Sequence, residues 1–104
     1  MYGCEEDIKK EAVNRFPEEM VGYIKNGKFH ALKNISTDPR KRYQLSVADK
    51  LLVLNNKVEY LVHSHPNMDQ HPSQLDLQSQ RSTGIPFLII GTDGKNVTTI
   101  KEVS

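Results

Sequence analysis

The chain has 104 residues, enough for one modest hydrophobic core and too few for two ordinary domains. Its 14 Lys and Arg nearly balance 13 Asp and Glu, so nothing in the totals calls for nucleic acid or an anionic membrane as a partner. A single cysteine, Cys4, excludes an internal disulfide and fits a reducing compartment, and no apolar run approaches the roughly 18–20 residues of a membrane span.

The first residues, MYGCEEDIKK, lack the basic and apolar regions of a signal peptide, and none is expected. Residues 5–16 read as a helix. Ile8, Ala12 and Phe16 recur at spacing four with Val13 beside them. Glu5, Glu6 and Asp7 lead and Lys9, Lys10 and Arg15 follow, which suits the helix dipole. Pro17 stops this helix at or before Phe16. Met20 to Lys25 and Lys28 to Asn34 read as two strands, joined by Asn26-Gly27, a pair that tolerates the positive φ of a tight hairpin. Ser36-Thr37-Asp38-Pro39 is a turn cluster. Arg40-Lys41-Arg42 is the one local excess of charge and reads as a solvated loop rather than a binding patch.

Ser46-Val47-Ala48-Asp49 resembles a capping box with Asp in place of the usual Glu. It opens a short helix to about Leu54, with Val47, Leu51 and Leu54 expected to face inward. Val58 to His65 alternates as a strand, with Leu61, His63 and His65 on one face and Val58, Tyr60 and Val62 on the other. Pro66 to Pro72 is a polar loop, and Ser73 begins a helix to about Ser82. Phe87 to Ile90 reads as a buried strand, and Asn96 to Val103 returns as a final strand after the Asp93-Gly94 turn. The order α-β-β-α-β-α-β-β predicts an α/β (α+β) fold: a single domain over residues 1–104, with one mixed sheet and helices packed on it.

The chemistry concentrates in His63-Ser64-His65-Pro66 and Ser73-Gln74-Leu75-Asp76, which together read His-x-His-x7-Ser-x2-Asp. Two imidazoles and a carboxylate supply three of the four ligands of a tetrahedral zinc, and the open position marks a catalytic rather than a structural site. A metal so held makes water a usable nucleophile near neutral pH, which points to amide hydrolysis. A strand repeats its side-chain direction every two residues, so His63 and His65 project together, while Asp76 sits one turn into the next helix. Ser73 has two readings that spacing leaves open: a helix N-cap paired with Asp76, or a donor to the oxyanion formed during carbonyl attack. Asp69 and His71 lie in a loop that holds them less rigidly than a strand or helix would. His30 reads as structural or surface, and Cys4 has no local partner base. A hydrolase also needs a carboxylate to shuttle the proton. Glu18 and Glu19 both offer one, and the residues alone do not choose between them.

These residues resemble the JAMM (MPN+) zinc metallopeptidase motif at every spacing. The resemblance implies that His63, His65 and Asp76 bind Zn2+ and that Ser73 stabilises the oxyanion. Through Pro17-Glu18-Glu19 followed by Gly22, it implies Glu19 as general acid/base. It also implies a cytidine-deaminase-like arrangement of sheet and helices. Within the family the chain is most similar to the N-terminal domain of phage tail-tip assembly proteins of the lambda K type. The supporting segments are Phe16 to Gly22, Asn34-Ile35-Ser36 with Asp38-Pro39, Ser46 with Asp49, Leu61 to Pro66 and Ile85-Pro86-Phe87.

The same resemblance implies hydrolysis of a peptide or isopeptide bond in a peptide or protein substrate, in phage or prophage tail assembly. The implied partners are an NlpC-type cysteine peptidase domain or other tail proteins, and the implied location is the bacterial host cytoplasm or the virion tail. Such relatives often continue into the NlpC-type domain, so a chain ending at Ser104 is expected to be a standalone version or an excised domain. Val21 stands where some relatives carry a cysteine, and the segment after Asp76 leaves little room for added elements that grip ubiquitin. The competing reading is a non-catalytic scaffold of the same fold in tail assembly. A third, a RadC-like protein linked to DNA, finds no basic surplus to support it.

Overall fold

In the computed structural model, which describes residues 2–104, the elements follow the expected order. They are α1 (Glu5–Arg15), β1 (Val21–Lys25), β2 (Lys28–Leu32), α2 (Val47–Asn55), β3 (Tyr60–His65), α3 (Gln74–Thr83), β4 (Phe87–Gly91) and β5 (Lys101–Val103). The strands form one mixed sheet in the order β2-β1-β3-β4-β5. β3 and β4 run parallel, and the other neighbouring pairs are antiparallel. Parallel neighbours cannot be joined by a tight turn. The connection from β3 to β4 therefore carries α3, and with it the candidate ligand Asp76.

The period-two alternation of the strands builds a core on each face of the sheet. On one face α1 buries Ile8 and Ala12 against Met20, Ile24, Val62, Leu88 and Ile90. Complete burial of a side chain such as Ile8 contributes about 2 kcal/mol. On the other face Val21, Leu61 and Phe87 pack with Leu45, Val58 and the α2 residue Val53. With both faces covered, all five residues of β4 are buried, as the uninterrupted apolar run Phe87 to Ile90 requires.

Several expectations are corrected. Val47, Leu51 and Leu54 face solvent, at 74%, 53% and 53% exposure, and the inward residues of α2 are Val53 and, in part, Leu52. At about 100° per residue, Leu52 and Val53 lie on the opposite side of the helix from Val47, Leu51 and Leu54, a face of their own. That face wins because Leu45 and Val58, on either side of the helix, are buried in the same cluster. Val58 precedes β3 and joins the core of Leu61, not that of Val62. β2 stops at Leu32, short of Asn34, whose side chain is committed to loop backbone. The last strand is reduced to Lys101–Val103. The Thr98 hydroxyl accepts from the Gly91 N–H at 2.9 Å, and this side-chain bond competes with a regular ladder. No helix among the described residues is long and apolar enough to cross a membrane.

Candidate metal and catalytic site

The site is assembled by strand register. β1 pairs antiparallel with β3 so that Val21 stands opposite His63, and continuing that register two residues back brings Glu19 opposite His65. The continuation is held by a reciprocal pair of bonds. The Met20 N–H donates to Ser64 Oγ at 2.8 Å, and the Ser64 N–H donates to the Met20 carbonyl at 2.9 Å. Met20 and Ser64 therefore belong to the α1 side, and Glu19, His63 and His65 turn to the other. Glu19 is 6% exposed, whereas its neighbour Glu18 is open to solvent.

Asp76 arrives from α3, whose start is fixed by a capping box. Ser73 Oγ accepts from the Asp76 N–H at 3.1 Å, and the Ser73 N–H donates to Asp76 Oδ2 at 2.9 Å. This cap uses the lone pairs of the Ser73 hydroxyl and not its hydrogen, so capping and donation toward a substrate are compatible. The Asp76 carboxylate spans both imidazoles, with His63 Nε2 3.0 Å from Oδ1 and His65 Nε2 3.0 Å from Oδ2. Two ligands at about 2.0 Å from a tetrahedral zinc are separated by about 3.3 Å, so these spacings suit a shared ion. One ligand atom from each of Glu19, His63 and His65 also lies within 4.8 Å of the others.

The histidines carry further signs of a cation. His65 Nδ1 lies 2.8 Å from the Asp69 carbonyl, which can only accept, so Nδ1 bears the hydrogen. In the neutral ring Nε2 then presents a lone pair to a carboxylate oxygen, an arrangement that a proton or a metal ion must relieve. His63 is fully buried, and neither of its ring nitrogens makes a hydrogen bond, although Nε2 lies 3.0 Å from Asp76 Oδ1. A neutral imidazole carries one N–H and one lone pair, and a zinc ion would satisfy the lone pair. The His63 ring is held by Tyr43 at 5.0 Å and, edge-on, by Phe87 at 5.7 Å.

Gly91 lets the 66–72 loop reach His65. A Cβ there would lie 2.6 Å from the Asp69 nitrogen and the Met68 carbonyl carbon, so any side chain would push the loop off β4.

Electrostatics separates the acids. Burial pushes the Glu19 carboxyl up to about 7, with His65 opposing and the Asp76 charge reinforcing. Burial also pushes Asp76 up, but the two imidazoles and the Ser73 amide overcome it and hold the carboxyl well below its usual range. His63 is lowered by burial against the pull of Asp76. Burial lowers His65 too, but Asp76, the Asp69 carbonyl and Glu19 prevail and hold it above its usual value. One carboxylate is thus kept charged, and the other is poised near neutrality.

The other sequence candidates lie outside this cluster. The Asp69 carboxylate pairs with His71 at 2.9 Å on the exposed loop, and only the Asp69 backbone carbonyl serves His65. His30 stacks on Tyr23 at the surface. Cys4 is buried ahead of α1, and burial pushes its thiol up.

Sequence reasoning missed four features. Ser64 is one, although strand alternation alone would have turned it away from the histidines. Asn34 is another. Its Nδ2 donates to the carbonyls of Glu19, Pro39 and Arg42 at 3.0, 3.4 and 3.1 Å. Its Oδ1 accepts from the Ser36 and Gln44 amides at 3.0 and 3.1 Å. The third is Tyr43, against His63. The fourth is Arg40-Lys41-Arg42, which is exposed yet lines the same cavity of about 450 Å³ as Glu19, His65, Ser73 and Asp76.

A mixed sheet that aligns a strand-borne His-x-His with a helix-borne Ser-x2-Asp defines a JAB-type domain. The chain matches the family model described as prokaryotic homologs of the JAB domain over residues 4–103, and it belongs to that family. It is similar to tail tip assembly protein K of Escherichia phage N15, with 26% identity over 99 residues, 90% of this chain and 41% of the phage protein. The chain therefore spans about two fifths of the length of that curated relative. The solution structure of a protein from Desulfitobacterium hafniense shares the fold, with a TM-score of 0.64 and 17% identity over 98% of this chain and 86% of the other.

Proposed function

We propose that this chain is a zinc-dependent metallopeptidase that hydrolyses a peptide or isopeptide bond and serves phage or prophage tail assembly. The observation that carries the reading is the convergence of buried Glu19, His63 and His65, with one ligand atom from each within 4.8 Å of the others, and of Asp76, whose carboxylate oxygens lie 3.0 Å from each imidazole. Two ligand triads are conceivable, since Glu19 can replace Asp76 beside the histidines. We assign the metal to His63, His65 and Asp76, because Asp76 touches both imidazoles and is held ionised. Glu19, poised near pH 7, suits proton transfer better than ligation.

Bound there, zinc would acidify a water and polarise the substrate carbonyl. Glu19 takes the proton from the attacking water and returns it to the leaving amine. The Ser73 hydroxyl donates to the carbonyl oxygen as negative charge develops on it. The phage relative supports a working place among tail proteins, in the host cytoplasm or the virion tail. An NlpC-type peptidase domain is the proposed partner.

The test is cleavage of tail-protein peptides by zinc-loaded protein, beside Glu19→Gln. The wild type should cut, and Glu19→Gln should keep its zinc and lose activity. Cleavage by Glu19→Gln at the wild-type rate would overturn the assignment of the base.

The second reading, a non-catalytic scaffold, draws on the word "assembly" in the relative's name. It requires that Asp76→Ala unfold the domain, whereas the enzyme reading requires a folded, inactive protein.

A further inference from the structure

We propose that Arg40, Lys41 and Arg42 form an anion-recognising subsite on the wall of the catalytic cavity, and that the protein segment bound there is acidic beside the bond offered to Glu19. The assignment of a scissile bond rests on the peptidase reading; the binding of an acidic segment does not.

The first observation is placement. The three cations line the same cavity as Glu19, His65 and Asp76. Among the described residues none of the three has an ion-pair partner. Of the acids that line the cavity, Asp76 is engaged by the two imidazoles, Asp69 by His71, and Glu19 is buried. The unspent charge on this wall is therefore positive.

The second observation is rigidity. A solvated loop would let these side chains wander, but the backbone that carries them is tied to the catalytic acid. The Glu19 N–H donates to the Pro39 carbonyl at 2.7 Å. Asn34 gathers the carbonyls of Glu19, Pro39 and Arg42 onto one amide. The Lys41 and Arg42 amides both donate to the Asp38 carbonyl at 3.1 Å. The backbone that carries the cations is thus held at a fixed offset from Glu19, which keeps the positive charge on this wall of the cavity.

The chemistry selects a short acidic peptide segment over a nucleic acid. The sequence contains no other run of three basic residues and carries a net charge of only +1. A polynucleotide needs a basic stripe along its backbone, and an acidic segment entering one cavity needs only a local cluster. Guanidinium groups suit carboxylates in particular, through paired N–H donors.

The experiment is fluorescence anisotropy with a fluorescein-labelled peptide of alternating Gly and Glu. Its Gly–Gln counterpart and a single-stranded thymidine oligonucleotide serve as comparisons, at low and at physiological ionic strength. The proteins are the zinc-supplied wild type and Arg40→Glu/Lys41→Glu/Arg42→Glu, whose side chains are all exposed and whose fold is checked by circular dichroism. The acidic peptide should bind the wild type about 10-fold tighter than the neutral one, less so as salt rises. The reversed variant should lose that preference. Equal affinity for the two peptides, a preference that survives charge reversal, or tighter binding of the oligonucleotide than of the acidic peptide would overturn the proposal. Absence of cleavage under these conditions bears on the peptidase reading alone, and equal cleavage of acidic and neutral peptides counts against the subsite alone.

Discussion

Met20 and Ser64 exchange two hydrogen bonds, Met20 N–H to Ser64 Oγ at 2.8 Å and Ser64 N–H to the Met20 carbonyl at 2.9 Å. Each residue is fully buried and adjoins a site residue, Met20 next to Glu19 and Ser64 between the two histidines. The acid and the ligands are therefore set against each other by a pair that touches neither. Ser64→Ala leaves the Met20 amide without its acceptor in a dry core, a loss of about 1–3 kcal/mol. Urea unfolding should show that loss, and zinc stoichiometry should be unchanged because all three proposed ligands remain.

Glu19 makes stability depend on pH in a defined direction. Its carboxyl is raised from 4.5 to about 7 by burial, so the folded state binds the proton more tightly than the unfolded state does. In the metal-free protein this contribution erodes as pH rises from about 4.5 to about 7 and stays lost above that, a total of about 3 kcal/mol. Glu19→Gln cannot ionise and escapes the loss. The variant should gain on the wild type between pH 5 and pH 8 in denaturant titrations. Parallel pH profiles for the two proteins would show that Glu19 is not desolvated.

Asn34 should be structurally costly to lose despite lying in a loop. Asn34→Ala removes an amide that meets five backbone groups, and a drop of about 2 kcal/mol is expected. The freed segment holds Arg40, Lys41 and Arg42, so limited trypsin digestion should nick the variant there well before the wild type.

The outward face of α2 gives a contrasting pair. Leu51→Lys, at a 53% exposed position, should change stability by no more than about 0.5 kcal/mol. Val53→Ala, at a 4% exposed position, should cost about 2 kcal/mol. Thermal melts of the two variants give the comparison directly.

That His63, His65 and Asp76 would come together was legible in the sequence, because metal ligation demands particular donors at particular spacings. His63 and His65 on a strand, and Ser73 with Asp76 at a helix start, satisfy both demands locally. Element order was legible for the same kind of reason, through Asn26-Gly27, Pro17 and the apolar run at Phe87. Glu19 over Glu18 was not legible from local pattern alone. The choice depends on the β1–β3 register, a pairing between distant segments, and only the resemblance pointed to it. The inward face of α2 was misread because Val-Ala-Asp-Lys-Leu-Leu-Val-Leu is apolar on two faces, and the burial of Leu45 and Val58 decides between them. Arg40-Lys41-Arg42 looked like ordinary solvated charge because nothing nearby in sequence reveals that Asn34 folds the segment back onto Glu19.

The most direct test of the account is zinc content by elemental mass spectrometry, on purified wild type and on His63→Ala/His65→Ala. The account predicts about one zinc per wild-type chain, bound tightly enough to survive purification or reconstitution, and none in the double variant. A wild-type protein that is folded yet stays metal-free after zinc is supplied would contradict it.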